Sequence, residues 1–134
     1  MAQRKAIFIG RTTPDTGLDA YQLIAQKHKI KLDIFTDTPN ADQFISNYNY
    51  AFVSRYLVII EALAAGVPIL AHYNNQIKFD YLNQAPFRPY INIFSDPNTA
   101  SLDFSKINMV KAKKWAKDQT WRRLAAQYEA LWQK

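Results

Sequence analysis

Short apolar runs alternate along this chain with longer segments in which apolar residues recur at helical spacing. The short runs have the length and composition of buried or half-buried strands. They predict five strands, at 6–9, 31–35, 50–53, 67–71 and 90–94. The segments between them predict helices at 17–26, 41–46, 56–66 and 75–82, then a helix at 107–117 and a second one that runs from residue 121 to the end.

The alternation of strands and helices predicts the fold. Crossover connections between successive strands give a mainly parallel sheet with helices on both faces. The expected fold is α/β, a three-layer Rossmann-like sandwich with about five or six strands and a C-terminal helical extension. The chain has 134 residues, 49 % hydrophobic and 21 % charged, so a single globular domain spanning residues 1–134 is expected.

Composition narrows the chemistry. The chain has no cysteine, which excludes disulfides, thiol catalysis and thiolate metal sites. Its two histidines have no partners at metal-ligand spacing, and no nucleophile–base pair can be assembled. No apolar run approaches the roughly 18 residues of a membrane span. A cytoplasmic protein without a metal or other cofactor is therefore expected.

In a parallel sheet, ligands bind beyond the carboxyl ends of the strands. Gly10 and Arg11 follow the first predicted strand, and Thr16 and Gly17 open the next helix. A glycine, a helix N-terminus and an arginine together can bind an anion, although a plain turn with a surface arginine fits the same residues. Two further segments lie at this edge and extend the candidate site, with His72 and Asn74 as possible ligand contacts: Ser54-Arg55-Tyr56 and His72-Tyr73-Asn74-Asn75.

Glu61 is the one charged residue in the otherwise apolar segment 56–66, which ends on Gly66. This segment predicts a helix that is packed on most of its faces, and an unpaired carboxylate buried there would cost several kcal/mol. Two interpretations remain open. The carboxylate accepts hydrogen bonds from a ligand, for instance from sugar hydroxyls, or it lies on an open stripe or pairs with Arg55 or Arg11.

The net charge of +6 is concentrated at the C-terminus, where residues 105–134 contain eight basic and two acidic residues. An apolar stripe accompanies this charge and is typical of a docking face: Trp121, Leu124, Tyr128, Leu131 and Trp132. The basic face is either solvated or contacts an anionic membrane surface or an acidic partner. Nucleic acid is not expected, since no recognition motif accompanies the charge.

Four segments together resemble a known family. They are Ile-Phe-Ile-Gly-Arg at 7–11, Pro-Asp-Thr-Gly-Leu-Asp at 14–19, Ser-Arg-Tyr at 54–56 and Glu-Ala-Leu-Ala-Ala-Gly-Val-Pro at 61–68. In this order they resemble the C-terminal, nucleotide-sugar-binding half of the retaining glycosyltransferases of family 4, which have the GT-B fold. The ending at 121–128 is similar to the helix that closes those proteins.

The resemblance implies roles for individual residues. Glu61 matches the glutamate that holds the ribose of the nucleotide, and Arg11, beside Gly10, matches the arginine that neutralises the diphosphate. Two departures accompany these matches. Thr16 stands where the family has a second cation, a lysine, and Val53 stands where it has a second glutamate, as though the loop that contacts the donor sugar were deleted.

The resemblance implies one lobe of a two-lobed enzyme. The acceptor-binding N-terminal lobe is absent from this chain, so the chain is expected to bind a nucleotide diphosphate-sugar without transferring the sugar alone. The alternative is a non-catalytic binding or scaffolding module that keeps the fold. A receiver-like or flavodoxin-like domain is disfavoured, because neither the acidic cluster of the first nor the phosphate loop of the second is present.

Overall fold

The computed structural model describes residues 3–11, 16–36 and 41–132; within the last range the side chains of 41, 42, 120, 121 and 123–132 are not described. The strands are β1 (Lys5–Ile9), β2 (Lys31–Phe35), β3 (Tyr50–Phe52), β4 (Ile69–His72) and β5 (Asn92–Phe94). The α-helices are α1 (Leu18–Lys27), α2 (Tyr56–Ala64), α3 (Gln76–Asn83) and α4 (Met109–Trp132), and short 3-10 helices cover Ala41–Asn47 and Arg88–Tyr90.

The five strands form one sheet in the order β2-β1-β3-β4-β5, and every neighbouring pair is parallel. Helices flank the sheet, which confirms the predicted α/β class and the Rossmann-like three-layer sandwich. Because all strands are parallel, their carboxyl ends meet at one edge. That edge is where the predicted ligand-binding segments begin.

Alternate residues of each strand feed two separate cores, as the two-residue period of a strand requires. Ile7, Ala51 and Ile69 pack with α2, α3 and α4 on one face. Ala6, Phe52 and Leu70 pack with α1 on the other, where Tyr21 is fully buried. The sheet is therefore covered on both sides, and functional groups reach solvent mainly at its edges.

The predicted break in the C-terminal helical segment is wrong. α4 runs without interruption through residues 118–120, where the sequence predicted an end and a new start. Asp, Gln and Thr lower helix propensity by only about 0.7 kcal/mol or less per residue relative to alanine, so without a glycine or proline the helix continues. Ala112 and Ala116 are buried where α4 packs against α2. The apolar stripe predicted at Trp121–Trp132 lies outside the described side chains.

The bounds of β4 and β5 differ most from the prediction, and β1 and β3 each differ from it by one residue at one end. β4 begins at Ile69 rather than Val67, because the Val67 N–H bonds to the Ala62 carbonyl at the end of α2 and Pro68 has no N–H to give. β4 also extends to His72, which the sequence placed after the strand. β5 begins at Asn92 rather than Tyr90, because Arg88–Tyr90 form a 3-10 turn around a proline.

Gly66 ends α2 as predicted. It adopts a left-handed conformation with φ +76°, and its N–H bonds to the Leu63 carbonyl at 2.9 Å. The Val67 N–H reaches the Ala62 carbonyl at 3.0 Å. This pair of bonds is the Schellman motif, which satisfies the last carbonyls of a helix and turns the chain toward the next strand.

Candidate functional site

The carboxyl edge of the sheet brings together most of the residues that the sequence singled out. Gly10 and Arg11 leave β1, and the Gly10 N–H bonds to the Phe35 carbonyl of the neighbouring strand at 3.2 Å. The Arg11 side chain is exposed. The loop between Arg11 and Thr16 is not described, so the predicted contribution of Pro14 and Asp15 lies outside the described residues.

The segment after β3 carries a second arginine, at the strand end next to that of the first. β1 and β3 are neighbours, and their register pairs Phe8 with Phe52. Arg11 and Arg55 each follow a member of this pair by three residues, so both cations leave adjacent strand ends. Arg55 is exposed and precedes α2 in an extended conformation, where its carbonyl accepts the Ile59 N–H at 2.9 Å.

The side chains next to Arg55 serve the fold. The Ser54 side chain hydrogen-bonds to the Tyr21 hydroxyl below the edge. Tyr56 is half-buried, and its ring packs at 5.2 Å from the Phe87 ring and at 6.3 Å from the Tyr81 ring. Ser54 and Tyr56 therefore serve to pack the fold. Arg55 is the residue of this segment whose side chain is exposed.

Glu61 lies in the second turn of α2, about 7.5 Å along the helix axis from Tyr56 at 1.5 Å per residue. Ile59, Ile60, Ala62 and Leu63 of this helix are buried, as predicted, but Glu61 is exposed. The carboxylate is therefore not buried in the core, a point that the sequence left open. With Leu57, one turn earlier and 43 % exposed, Glu61 lies on an open stripe of the helix, where it also has an interaction of its own. On this stripe the carboxylate can meet a ligand without a large desolvation cost.

A buried aromatic cluster supports the carboxyl edge from below. The Tyr21 hydroxyl accepts a hydrogen bond from the backbone N–H of His72 at 2.8 Å. The Tyr21 ring lies 5.2 Å from that of Phe52, 5.5 Å from that of Phe94 and 6.1 Å from that of His72. Burial raises the pKa of the Tyr21 phenol, so this hydroxyl stays protonated and acts as a fixed joint between α1 and β4.

His72 is 7 % exposed, and its Nδ1 is a buried polar atom without a hydrogen-bond partner among the described residues. Burial lowers the pKa of the imidazole, the Lys78 charge lowers it further, and a hydrogen bond to the Ser95 backbone opposes both. The ring is therefore neutral at pH 7. It packs directly against Gly17, whose φ of +77° precedes α1.

The contact between His72 and Gly17 joins the loop after β1 to the end of β4. A Cβ on residue 17 would lie 2.9 Å from the Cβ of His72 and overlap the ring nitrogen Nδ1. Glycine is thus required at this position for two reasons, its left-handed backbone and the space that the imidazole fills. Thr16, next to Gly17, is half-buried and engaged in an interaction of its own.

A cavity of about 590 Å³ opens where β4 and β5 end and α3 begins. It is lined by residues 72–76, Phe79 and Ser95. Sequence reasoning placed 72–75 at this edge but did not include Gln76, Phe79 or Ser95. The polar run that follows β4 is a local signal for the first of these. No local signal marks Ser95, which joins the cavity only because β5 pairs with β4.

Comparison with known proteins gives no relative from which to transfer a role. No protein-family model matches the chain, and no curated protein matches it in sequence. Within the described residues, no group of three or more acidic or histidine side chains is placed to hold a metal ion. No helix in the described part of the chain has both the length and the apolar character that crossing a membrane requires.

Proposed function

We propose that this chain is the donor-side lobe of a two-lobed glycosyltransferase of the GT-B kind, which binds a nucleotide diphosphate-sugar at the carboxyl edge of its sheet. The observation that carries the proposal is the position of Arg11 directly after β1 and of Glu61 on the helix that follows the neighbouring strand β3. In this arrangement the arginine neutralises the diphosphate, and the carboxylate accepts hydrogen bonds from the ribose hydroxyls.

Arg55 supplies the second diphosphate cation in this proposal. The departing diphosphate gains negative charge in the transfer step, and fixed cations stabilise that charge. Thr16 cannot provide a positive charge where the resembling family has a lysine. The register of β1 and β3 places Arg55 on the strand end next to that of Arg11, and its side chain is exposed. The paired arginines thus restore the charge that Thr16 lacks.

The isolated chain is expected to bind a nucleoside diphosphate weakly and to transfer no sugar. One lobe offers only part of the contacts, and no second lobe orients the acceptor for attack. Calorimetric titration with a panel of nucleoside diphosphates and diphosphate-sugars measures the binding, and a transfer assay on the same preparation measures the activity. Robust transfer by the purified chain alone would contradict the proposal.

The same assay separates the proposal from its alternative, the non-catalytic binding module. A separately encoded N-terminal GT-B lobe, where one accompanies this chain, is added to the purified protein. Transfer that depends on both lobes supports the enzyme. If the chain binds a nucleoside diphosphate but transfers no sugar when the second lobe is added, the binding module is supported.

The exposed side of α4 supports a second, peripheral function. Lys114 and Lys117 are exposed on the side of the helix away from the buried Ala112 and Ala116, and the exposed Lys113 lies at the margin of this face, next to Gly66. Val110, which is 81 % exposed, lies on the same face, one turn before Lys113 and Lys114. Lysines surrounding an exposed apolar side chain suit contact with an anionic lipid surface, where each basic residue contributes about 1 kcal/mol.

Binding to anionic vesicles is therefore expected at low salt, and the double charge reversal Lys114→Glu with Lys117→Glu is expected to reduce it at least tenfold. Co-sedimentation with anionic and with neutral vesicles, at low and high salt, measures this because salt screens such an attraction. Lys27→Glu combined with Lys31→Glu, at the end of α1 and the start of β2, is the charge-matched control. Equal sedimentation with both kinds of vesicle at low salt would show that the lysines are solvated and do not bind an anionic membrane.

A further inference from the structure

The cavity between β4, β5 and α3 differs in character from the arginine-lined part of the edge. Among the residues that the structure describes, none that line it carries a carboxylate, an ammonium or a guanidinium, and the His72 ring is neutral. Its lining instead combines side-chain amides, a serine hydroxyl and two aromatic rings. Its volume of about 590 Å³ lies within the range of small-molecule sites.

The amides of the cavity are held in place and still offer hydrogen bonds. The Asn75 Oδ1 accepts the Lys78 backbone N–H at 2.8 Å and so caps α3, and the Asn75 Nδ2 donates to the Asn74 Oδ1 at 3.2 Å. The Gln76 Nε2 donates to the Asp80 carboxylate at 2.9 Å. These bonds leave the Nδ2 of Asn74 as a donor and the Oε1 of Gln76 as an acceptor within the described part of the chain.

The aromatic part of the lining is also ordered. The Tyr73 and Phe79 rings meet edge to face with their centroids 5.1 Å apart. They give one side of the cavity an apolar surface, while Asn74, Gln76 and Ser95 supply polar groups around it. A ring that carries hydroxyl groups on its rim and C–H groups on its faces matches both parts of this lining.

We infer that this cavity binds the uncharged hexose ring of the donor. The inference rests on the proposed function and deepens it, because it assigns the sugar ring to the part of the edge where the sequence named His72 and Asn74 as ligand contacts without saying which part of the ligand they meet. β4, whose end lines the cavity, pairs with β3, whose end precedes Arg55, so in this proposal the sugar lies on the side of the cavity that faces the cation pair. The cavity also offers a replacement for the sugar-contacting loop that is missing before α2.

The lining further predicts that charged sugars are excluded. A uronic acid would bring a carboxylate into a cavity whose described lining residues offer no cation to neutralise it. The charge of Lys78 lies close enough to lower the pKa of His72, but Lys78 is not among the described residues that line the cavity. The Lys78 N–H, in the first turn of α3, is already capped by Asn75. Neutral hexoses are therefore preferred to hexuronates.

The test is a titration of the full chain, labelled with ¹⁵N, with methyl glycosides of glucose, galactose, mannose and N-acetylglucosamine and with methyl glucuronide. At least one neutral glycoside is expected to shift the backbone amides of residues 73–79 and 95, with the glucuronide binding at least fivefold more weakly. Asn74→Ala combined with Gln76→Ala is expected to weaken the neutral glycoside at least fivefold. Both residues are exposed, so the fold should tolerate the change, and Asn98→Ala in the turn after β5 is the matched control.

The outcomes separate this inference from the proposed function. Shifts at the cavity without binding of any nucleoside diphosphate would preserve the sugar site and overturn the glycosyltransferase proposal. Nucleoside diphosphate binding without shifts at the cavity, at glycoside concentrations up to about 100 mM, would overturn the sugar site alone. Tighter binding of the glucuronide than of every neutral glycoside would likewise overturn it.

Discussion

Replacing Arg11 with alanine is expected to weaken the binding of a nucleoside diphosphate about tenfold or more. A hydrogen bond to a charged group contributes about 1.5–3 kcal/mol, and 1.4 kcal/mol corresponds to a factor of ten. The Arg11 guanidinium is exposed at the end of β1, so its removal leaves the fold intact and takes away one fork of the diphosphate contact. Isothermal titration calorimetry on the purified variant measures the loss directly.

Glu61→Ala is expected to cause a similar loss for a different reason. The carboxylate accepts hydrogen bonds from the ribose, so the variant should lose affinity for ribonucleotides more than for the 2′-deoxy forms. Arg11→Ala should weaken both forms equally, since the diphosphate is common to them. Comparing the affinities of the two variants for the ribose and deoxyribose forms therefore shows which part of the ligand each side chain contacts.

Charge-matched controls separate this contact from a general change in the field of the protein. Lys31→Ala removes an exposed cation at the amino end of β2, and Asp118→Ala removes an exposed carboxylate from α4. Both controls should bind as the wild type does. Binding that is indifferent to Arg11→Ala and Glu61→Ala, or equally sensitive to the controls, would contradict the proposed site.

Gly17→Ala is expected to lower the free energy of unfolding by about 2–5 kcal/mol. A non-glycine residue in the left-handed region costs about 1–2 kcal/mol. The new Cβ would also lie 2.9 Å from the Cβ of His72 and overlap its ring, and overpacking of this kind adds about 1–3 kcal/mol. Urea unfolding followed by circular dichroism measures the change, which should appear in the midpoint rather than the slope.

Gly66→Ala provides the matched control for this prediction. Its φ of +76° almost equals that of Gly17, but a Cβ there would meet only the Lys113 side chain at 3.7 Å, an ordinary contact. Gly66→Ala should therefore lose only the part of the unfolding free energy that comes from placing an alanine in the left-handed region. His72→Ala in the Gly17→Ala background should recover part of the excess, as a double-mutant cycle would reveal. Equal losses for the two glycines would show that His72 does not constrain residue 17.

The sequence predicted those parts of the fold that local pattern controls. β2 was predicted with its observed bounds, and Gly66 ends α2 through a motif that needs only neighbouring residues. The errors in the strand and helix bounds arose in two situations. In one, a backbone N–H at the predicted start of a strand was already bonded elsewhere; in the other, the residues only weakly favoured a break in a helix. β4 begins at Ile69 because the Val67 N–H is bonded to the end of α2 and Pro68 has no N–H, although the Pro68 carbonyl accepts the Ala51 N–H of β3; the residues at 118–120 do not cost enough to interrupt α4.

The candidate site was predictable to the extent that strand ends define an edge. Arg11, Arg55 and His72 could be placed there because each follows or ends a strand. The contact between Gly17 and His72 could not, because it joins residues far apart in sequence whose fit depends on the packing of α1. Nor could the cavity, which needs Ser95 of a neighbouring strand. The sequence did not decide whether the Glu61 side chain is exposed, because this depends on which face of α2 packs against the rest of the protein.

The central claim is that Arg11 and Glu61 hold the two parts of one nucleotide, and a crystal structure of the chain with a bound nucleoside diphosphate tests it most directly. The account predicts the β-phosphate within hydrogen-bond distance of the Arg11 guanidinium and a ribose hydroxyl within hydrogen-bond distance of the Glu61 carboxylate. It also predicts that Arg55 approaches the same diphosphate. A nucleotide bound elsewhere, or Arg11 and Glu61 pointing to opposite faces of the sheet, would contradict it.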